Sequence, residues 1–141
     1  MTHDVIGSGA VLEEIPLEEC VELLTRTPVG RVGGVAHGKP FVFPVNYLLD
    51  GDKVVFRTGP GTKLDGSGFG RVAFEIDGVD EETKTGWSVI VQGVAAEINE
   101  MLDQHSERLR QLDLSPWVAG EKTHWVAIDT ESITGRRLTH R

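Results

Sequence analysis

The first apolar stripe in the chain has helical spacing. It consists of Leu17, Cys20, Val21 and Leu24, which recur at intervals of three and four residues. Pro16 stands just before the stripe, and Glu18 and Glu19 occupy the first turn, where the helix dipole favours acidic side chains. Pro28 disfavours helical geometry at the residue before it. The pattern therefore predicts a short helix that opens at Pro16 and ends near residues 25–27.

The spacing then changes to the alternation that is typical of strands. The predicted strands span residues 30–36, 40–49, 54–57, 71–77, 88–98 and 123–128, and residues 132–138 extend or follow the last of them. A polar turn at residues 37–39 joins the first two strands, and Asp50-Gly51 predicts a tight hairpin to the third. Gly93 lies in the middle of the longest strand, which predicts a bulge or a bend at that position.

Helical spacing returns late in the chain. It is carried by Ile98, Met101, Leu102, His105, Leu109 and Leu112, which fit a helix of about four turns. The first 14 residues have the pattern of a tail or a loose lead-in strand. We therefore predict a lead-in over residues 1–14 and a single domain over residues 15–141. The predicted fold is mainly β, a split antiparallel β-barrel with peripheral helices.

Size and charge narrow the possible functions. A chain of 141 residues suits one domain with its own core. Its net charge of −8 argues against nucleic acid and anionic membranes as partners, because positive charge supplies most of the affinity for both. The N-terminus lacks a basic start, and no apolar run reaches transmembrane length, so we expect a cytoplasmic protein without membrane segments.

The sequence gives little support for covalent catalysis, a disulfide or a metal site. Cys20 is the only cysteine, which excludes an intramolecular disulfide and a cysteine-rich metal site. Cys20 lies on the apolar stripe, so we expect a buried, inert thiol. His37, His105 and His124 are scattered, without a metal-ligand spacing or a carboxylate partner nearby, so no metal site is expected. No Gly-x-Ser-x-Gly elbow is present.

A glycine loop after the third strand is the strongest candidate for a binding site. Residues 59–61 read Gly-Pro-Gly and lead to Thr62 and Lys63. Backbone N–H groups, a hydroxyl and an ammonium would converge there, which favours a phosphorylated ligand. The alternative is that Thr62 caps a short helix in a box with Asp65 while Lys63 is solvated. One set of exposed N–H groups serves both roles, so the two are compatible.

The order of several segments resembles a known family, the FMN-binding split-barrel proteins of the pyridoxamine 5'-phosphate oxidase-like superfamily. The resemblance is carried by GRVG at residues 30–33, by KPFVFPVNYLLDGDKVVFRT at 39–58, by GTK at 61–63 and by GWSVIVQGVA at 86–95. With the early helix, the late helix and the last strand, these segments cover nearly the whole chain.

The resemblance implies FMN as the cofactor and assigns residues to it. Val45, Asn46 and Tyr47 would seat the flavin ring, partly through backbone groups, and Arg57 and Thr58 would line the cofactor. Thr62 and Lys63 would hold its phosphate. Many relatives use two basic residues on the phosphate, and here Arg57 would supply the second charge. Trp87 and Ser88 would close one edge of the site.

The family also implies a homodimer with two FMN sites across its interface, and a second protomer could supply Trp125, Arg136 or Arg137. The long strand at residues 88–98 is apolar on both alternations, which independently favours self-association. Plainer interpretations stay open for three residues. Tyr47 would be an aromatic lining the barrel, Arg57 a surface arginine on its rim, and Trp87 a core or interface aromatic.

These observations favour an FMN-dependent oxidoreductase whose substrate and catalytic residues are unknown. In such an enzyme the cofactor carries the electrons, so no dedicated acid or base is required. The C-terminal arginine–histidine arrangement that the true oxidase uses on its substrate is not found, so vitamin B6 oxidation is not expected. Two alternatives stay open. They are a deazaflavin-dependent reductase of the same fold and a flavin-binding or storage module that turns nothing over.

Overall fold

The computed structural model describes residues 3–6, 9–58, 70–98 and 124–140, and only the backbone of residues 3–6. Within these residues the chain forms one helix, α1 (Leu17–Arg26), and eight strands. The strands are β1 (His3–Ile6), β2 (Ala10–Glu14), β3 (Val29–Ala36), β4 (Lys39–Asp50), β5 (Lys53–Thr58), β6 (Arg71–Asp80), β7 (Thr85–Glu97) and β8 (His124–His140).

The strands form one antiparallel sheet that closes on itself. The strand order is β1-β2-β8-β5-β4-β3-β6-β7, and β7 also pairs with β8, so six strands close into a ring. The 17-residue strand β8 makes the closure possible, because its first half pairs with β5 and its last residues pair with β2, while β7 follows its other edge. The structure confirms the predicted mainly β split-barrel fold.

The turns and the bulge lie where the sequence predicts them. His37 and Gly38 have φ angles of 53° and 75°, as a two-residue type I′ hairpin turn between β3 and β4 requires. Gly51, with a φ of 61°, opens the equally short turn between β4 and β5. The pairing of β7 with β8 shifts register between Gln92 and Gly93, which confirms the predicted bulge.

Helix α1 has the predicted bounds but a different buried face. Pro16 precedes its first residue and Thr27 follows its last. Cys20, Leu23 and Leu24 are buried, whereas Leu17 is 59% exposed and Val21 is 38% exposed. The predicted stripe is therefore wrong for Leu17 and Val21. The buried residues Cys20, Leu23 and Leu24 span little more than one turn of this 10-residue helix. The helix therefore packs on the barrel through that turn and not through the whole predicted stripe.

The main core fills the inside of the barrel. Its fully buried members include Val32, Val54, Phe56, Phe74, Ile76, Val89, Val91, Val126 and Ile128. A second apolar cluster, here called the outer cluster, lies on the opposite face of the sheet, as the alternation along β5 and β8 requires. It contains Val55, Ile98 and Trp125, with Leu48 and Ala127 packed against it. The sequence did not predict this second cluster.

The N-terminal segment forms more structure than predicted, whereas the predicted late helix and glycine loop lie almost wholly outside the described residues. The segment predicted as a tail or a loose lead-in strand forms β1 and β2, and β2 pairs with β8 over five residues. The predicted helix from residue 98 lies outside the described residues except for Ile98, whose N–H donates to the carbonyl oxygen of Trp125 at 2.8 Å. Thr62 and Lys63 also lie outside them. The described residues contain no helix long and apolar enough to span a membrane.

Candidate functional site

The end of β5 brings together several polar side chains. Arg57 and Thr58 are its last residues, and they stand opposite Trp125 and His124 of β8. The guanidinium carbon of Arg57 lies 5.0 Å from the centre of the Trp125 ring, within the range of a cation–π contact. Because side chains alternate along a strand, Arg57 and Trp125 lie on the outer face of the barrel while Thr58 and His124 point inward.

Thr58 is the unusual residue of this group. It is 4% exposed, and its Oγ1 atom is buried without a hydrogen-bond partner among the described residues. A buried hydroxyl without a partner costs about 1–3 kcal/mol. Such an atom at a strand end, directly before the glycine loop, fits a site where a bound group supplies the missing hydrogen bond.

The three residues predicted to seat a ring do not share one face. Val45 is 9% exposed and Tyr47 is 4% exposed, and both belong to the core of the barrel. Asn46 lies on the outer face, where its side-chain amide donates to the carbonyl oxygen of Pro28 at 3.2 Å. Val45 and Asn46 pair with Gly30 and Val29 of β3. Of the three side chains, only that of Asn46 is directed to the same face as Arg57.

Tyr47 is a core aromatic, which is the alternative that the sequence left open. Its hydroxyl donates to the carbonyl oxygen of Leu24 at 2.6 Å and so ties β4 to helix α1. Its ring meets the Phe74 ring edge-on, with the ring centres 4.7 Å apart. Burial raises the pKa of Tyr47 above its ordinary value. The side chain is therefore part of the packing of the barrel.

Replacing Tyr47 by phenylalanine is expected to lower the free energy of unfolding by about 1–2 kcal/mol, because the Leu24 carbonyl loses its partner. The raised pKa of Tyr47 adds a pH dependence. Stabilisation by the neutral phenol is complete below the unfolded pKa of about 10 and falls as the pH rises above it. Urea unfolding at pH 7 and pH 11 tests this. The difference between wild type and Tyr47→Phe should shrink at pH 11, and an equal difference at both pH values would contradict it.

Trp87 and Ser88 lie far from the end of β5 in one chain. They pair with Arg137 and Arg136 of β8, whereas Arg57 pairs with Trp125. Arg136 and Trp125 are 11 residues apart, which is roughly 35 Å along an extended strand. A single chain therefore does not bring the two groups of predicted site residues together.

Trp87 has its own surroundings at the far end of the barrel. Its ring lies over Gly78, where an added Cβ atom would stand 2.5 Å from the indole Nε1, so a larger residue at position 78 would displace the ring. An open depression of about 380 Å³ borders the ring and is also lined by Arg137. The Arg137 guanidinium donates to the carboxylate of Glu19 on α1. Trp87 thus combines packing with partial exposure.

The structure also contains a polar pair that the sequence analysis missed. His124 Nδ1 lies 2.5 Å from Glu97 Oε1, and the two side chains are 30% and 35% exposed. The sequence shows no carboxylate pairing near His124, because Glu97 lies 27 positions away along the chain. Glu97 pairs with Val126, which makes it a diagonal neighbour of His124 across two strands, and only the register reveals that proximity. Across the described part of the chain, no group of three or more potential metal ligands is found.

Cys20 is buried, as predicted. Burial and then the neighbouring Glu19 raise the pKa of its thiol, while Arg137 lowers it. Its Sγ atom lies 3.6 Å from the carbonyl oxygen of Ile15, a weak contact for a thiol donor. A protonated, buried thiol is a poor nucleophile, so Cys20 contributes packing rather than chemistry.

Comparison with known proteins agrees with this architecture. The sequence pattern of the pyridoxamine 5'-phosphate oxidase family matches residues 16–137. The chain belongs to this family. Its relatives include the protein Rv0080 of Mycobacterium tuberculosis, which is 33% identical over 137 residues, covering 93% of this chain and 88% of that protein.

Two solved structures have the same fold as this chain over about nine tenths of its length. The FAD binding protein from Mycobacterium smegmatis has a TM-score of 0.71 and is 34% identical, with 89% of this chain and 97% of that chain covered. The putative pyridoxamine 5'-phosphate oxidase from Corynebacterium glutamicum has a TM-score of 0.74 and is 31% identical. The match covers 91% of this chain and 98% of that chain. The resemblance to the pyridoxamine 5'-phosphate oxidase family that the sequence motifs indicated is therefore confirmed.

Proposed function

We propose that this member of the pyridoxamine 5'-phosphate oxidase family is a flavin-binding oxidoreductase whose cofactor lies at the end of β5. The observation that carries the proposal is the buried Thr58 hydroxyl, which has no partner among the residues that the structure describes and which follows Arg57 in the strand, directly before the Gly-Pro-Gly-Thr-Lys loop. The family membership supports it, because a relative of 34% identity over nearly its whole length is an FAD-binding protein.

The residues present fit such a cofactor. Thr58 supplies a buried hydrogen-bonding atom, and Arg57 supplies a guanidinium whose plane is supported by the Trp125 ring. Thr62 and Lys63 would add a hydroxyl and an ammonium for the phosphate. Asn46 presents a polar side chain on the outer face beside this strand end. A bound flavin supplies the electron transfer, and the protein orients it and excludes water.

The cofactor we propose is FMN, because the loop offers groups for one phosphate rather than a long basic groove. FAD is the second candidate, because the M. smegmatis relative is an FAD binding protein. The test is the absorption spectrum of protein purified without added cofactor, followed by mass measurement of the nucleotide released by heat. Released FMN supports the first assignment and released FAD the second. Colourless protein that does not bind added flavin would contradict both.

The same preparation separates an oxidoreductase from its alternatives. Bleaching of the flavin absorbance by a reduced nicotinamide, followed by recovery in air, supports an oxidoreductase. A bound flavin that stays oxidised when reduced nicotinamides are added indicates a storage or binding module. Release of a deazaflavin, which differs in mass and in spectrum, indicates the deazaflavin-dependent reductase.

We also propose a homodimer in which Trp87 and Ser88 of one protomer approach the β5 end of the other. Two features support it. The two groups lie far apart in one chain, and the outer face of β7 exposes Ile90 (39%) and Val94 (38%), whereas Val89, Val91 and Ala95 on its inner face are buried. Exposed β-branched side chains on one face of a strand are what a self-complementary interface uses.

Light scattering is expected to give twice the 15.4 kDa mass of one chain at micromolar concentration. Ile90→Asp should shift the mass towards the monomer, because a charge would be buried without a partner. Val35→Asp is the matched control, since Val35 is 64% exposed on β3, beside the β3–β4 turn. A monomeric wild type, or equal dissociation by both substitutions, would contradict the proposed interface.

Pyridoxamine 5'-phosphate is expected to be a poor substrate. Two side chains near the end of β8 already have partners, since Arg137 donates to Glu19 and the His140 ring contacts the carbonyl oxygen of Lys84 at 2.8 Å. A steady-state assay of flavin-loaded protein for pyridoxal 5'-phosphate formation tests this. Efficient turnover would show that Arg136 or Arg137 takes the role of the missing substrate-binding pair.

A further inference from the structure

Three polar side chains meet at one mouth of the barrel, and the proposed cofactor contacts use only one of them. Thr58 of β5 stands opposite His124 of β8, and Glu97 of β7 holds the His124 ring from the other side. All three follow the inward-facing alternation of the core residues Phe56, Val126 and Ala95. We call Thr58, Glu97 and His124 the mouth cluster.

The contact with Glu97 decides how the His124 ring is presented. A carboxylate 2.5 Å from Nδ1 accepts a hydrogen bond from that nitrogen, so the ring carries Nδ1–H and is oriented by Glu97. Nε2 then points away from the carboxylate, and the ring is 30% exposed. An imidazole oriented in this way by a carboxylate is the arrangement that acid–base catalysts use.

The Thr58 hydroxyl, whose oxygen also supports the proposed cofactor site, has one O–H donor of its own that can serve a second ligand. Directly opposite residues on antiparallel strands have Cβ atoms about 4.5–5.5 Å apart. The buried Thr58 hydroxyl, which has no partner among the described residues, therefore lies beside the His124 ring. One hydroxyl donor and one imidazole donor on the same face can converge on a single acceptor oxygen. A carbonyl oxygen, which has two lone pairs, satisfies both.

We propose that His124, oriented by Glu97, is the proton donor for a carbonyl-type oxidant bound at the mouth cluster. The carbonyl oxygen accepts hydrogen bonds from Thr58 Oγ1 and from Nε2–H of the protonated ring. As the carbonyl carbon of a ketone, or the far oxygen of a quinone, takes up a hydride ion with its electron pair, the bound oxygen forms an O–H bond with the Nε2 proton. The Nε2–H bond breaks, its electron pair stays on the nitrogen, and the ring becomes neutral while Nδ1–H remains bonded to Glu97.

This inference rests on the proposed function, because a bound flavin is the source of the electron pair. It adds a substrate class, ketones or quinones, and an acid that the flavin chemistry alone does not require. General acid catalysis by a positioned side chain typically contributes about 10²–10⁴-fold to a rate. A rate change of that size can be measured by following the reoxidation of the flavin.

The test compares two oxidants of the reduced flavoprotein in a stopped-flow instrument. p-Benzoquinone must gain protons when it is reduced, whereas ferricyanide takes electrons alone. His124→Gln is expected to slow reoxidation by p-benzoquinone at least about tenfold, at the low end of general acid catalysis, and to leave reoxidation by ferricyanide unchanged. His140→Gln, at the other end of β8, is the matched control and should change neither rate.

A second measurement does not depend on turnover. In protein labelled with ¹⁵N-histidine, NMR at a pH where the His124 ring is neutral should show the Nδ1–H tautomer, the form left after Nε2 has given up its proton, in wild type and in Glu97→Gln, whose amide oxygen still accepts the bond. Glu97→Ala should lose this tautomer preference. A different tautomer in wild type would overturn the proposal, as would equal slowing of both oxidants or of neither in His124→Gln. Protein that binds no flavin would overturn the proposed function as well, which separates the two failures.

Discussion

Replacing Gly93 by alanine is expected to lower the free energy of unfolding by about 3 kcal/mol, near the upper end of the cost of overpacking. A Cβ atom at this position would stand 2.1 Å from the carbonyl oxygen and 2.9 Å from the carbonyl carbon of Asp129. Both are backbone atoms of β8, so they cannot move without breaking the pairing at the bulge. The bulge requires that two strands approach more closely than any side chain permits.

Gly33→Ala is the matched control for this prediction. Gly33 is also in the middle of a strand, but its added Cβ atom would meet its nearest neighbour at 3.4 Å, an ordinary contact. Urea unfolding followed by tryptophan fluorescence should show a clear loss for Gly93→Ala and little change for Gly33→Ala. Equal effects would mean that the loss of stability reflects general glycine replacement and not the bulge.

Lys63→Ala is expected to weaken flavin binding at least about tenfold, since a charge-assisted bond to a partly buried phosphate contributes about 1.5–3 kcal/mol. Thr62→Ala should weaken it less, because water can replace a hydroxyl. Titration of apoprotein by quenching of flavin fluorescence measures both. Riboflavin, which lacks the phosphate, should bind wild type and Lys63→Ala with equal affinity.

Lys39→Ala controls for the loss of one positive charge from a chain of net charge −8. Lys39 is exposed at the start of β4, next to the β3–β4 turn. It should leave the affinity for FMN unchanged. If Lys63→Ala behaves like Lys39→Ala, the glycine loop is only a turn and the phosphate is held elsewhere.

The local features of the fold could be predicted from the sequence because they depend on neighbouring residues. The turn at His37-Gly38, the hairpin at Asp50-Gly51 and the bulge at Gly93 each follow from the backbone freedom of one or two residues. Helix α1 follows from a proline at each end. Its buried face could not be predicted as well, because Leu17 and Val21 fit the stripe but remain 59% and 38% exposed.

The candidate site could be proposed from the sequence only where a contiguous motif contains its residues. Arg57 and Thr58 at the end of β5 were identified from the strand and loop around them. The contact between Glu97 and His124 was missed, because it depends on the register of β7 against β8, and 26 residues separate the two in sequence. The alternation of β4 also places Tyr47 in the core, although its neighbour Asn46 faces outward.

Strand β8 has a consequence for how the protein is made. Its pairing with β2, β5 and β7 links segments that are up to about 130 residues apart, so native contacts are strongly non-local, and barrels of this kind fold in milliseconds to seconds. On the ribosome, β5 and β7 both remain unpaired edges until residues 124–140 have emerged. A nascent chain halted before β8 therefore exposes two open strand edges, and these edges can pair with other chains during synthesis.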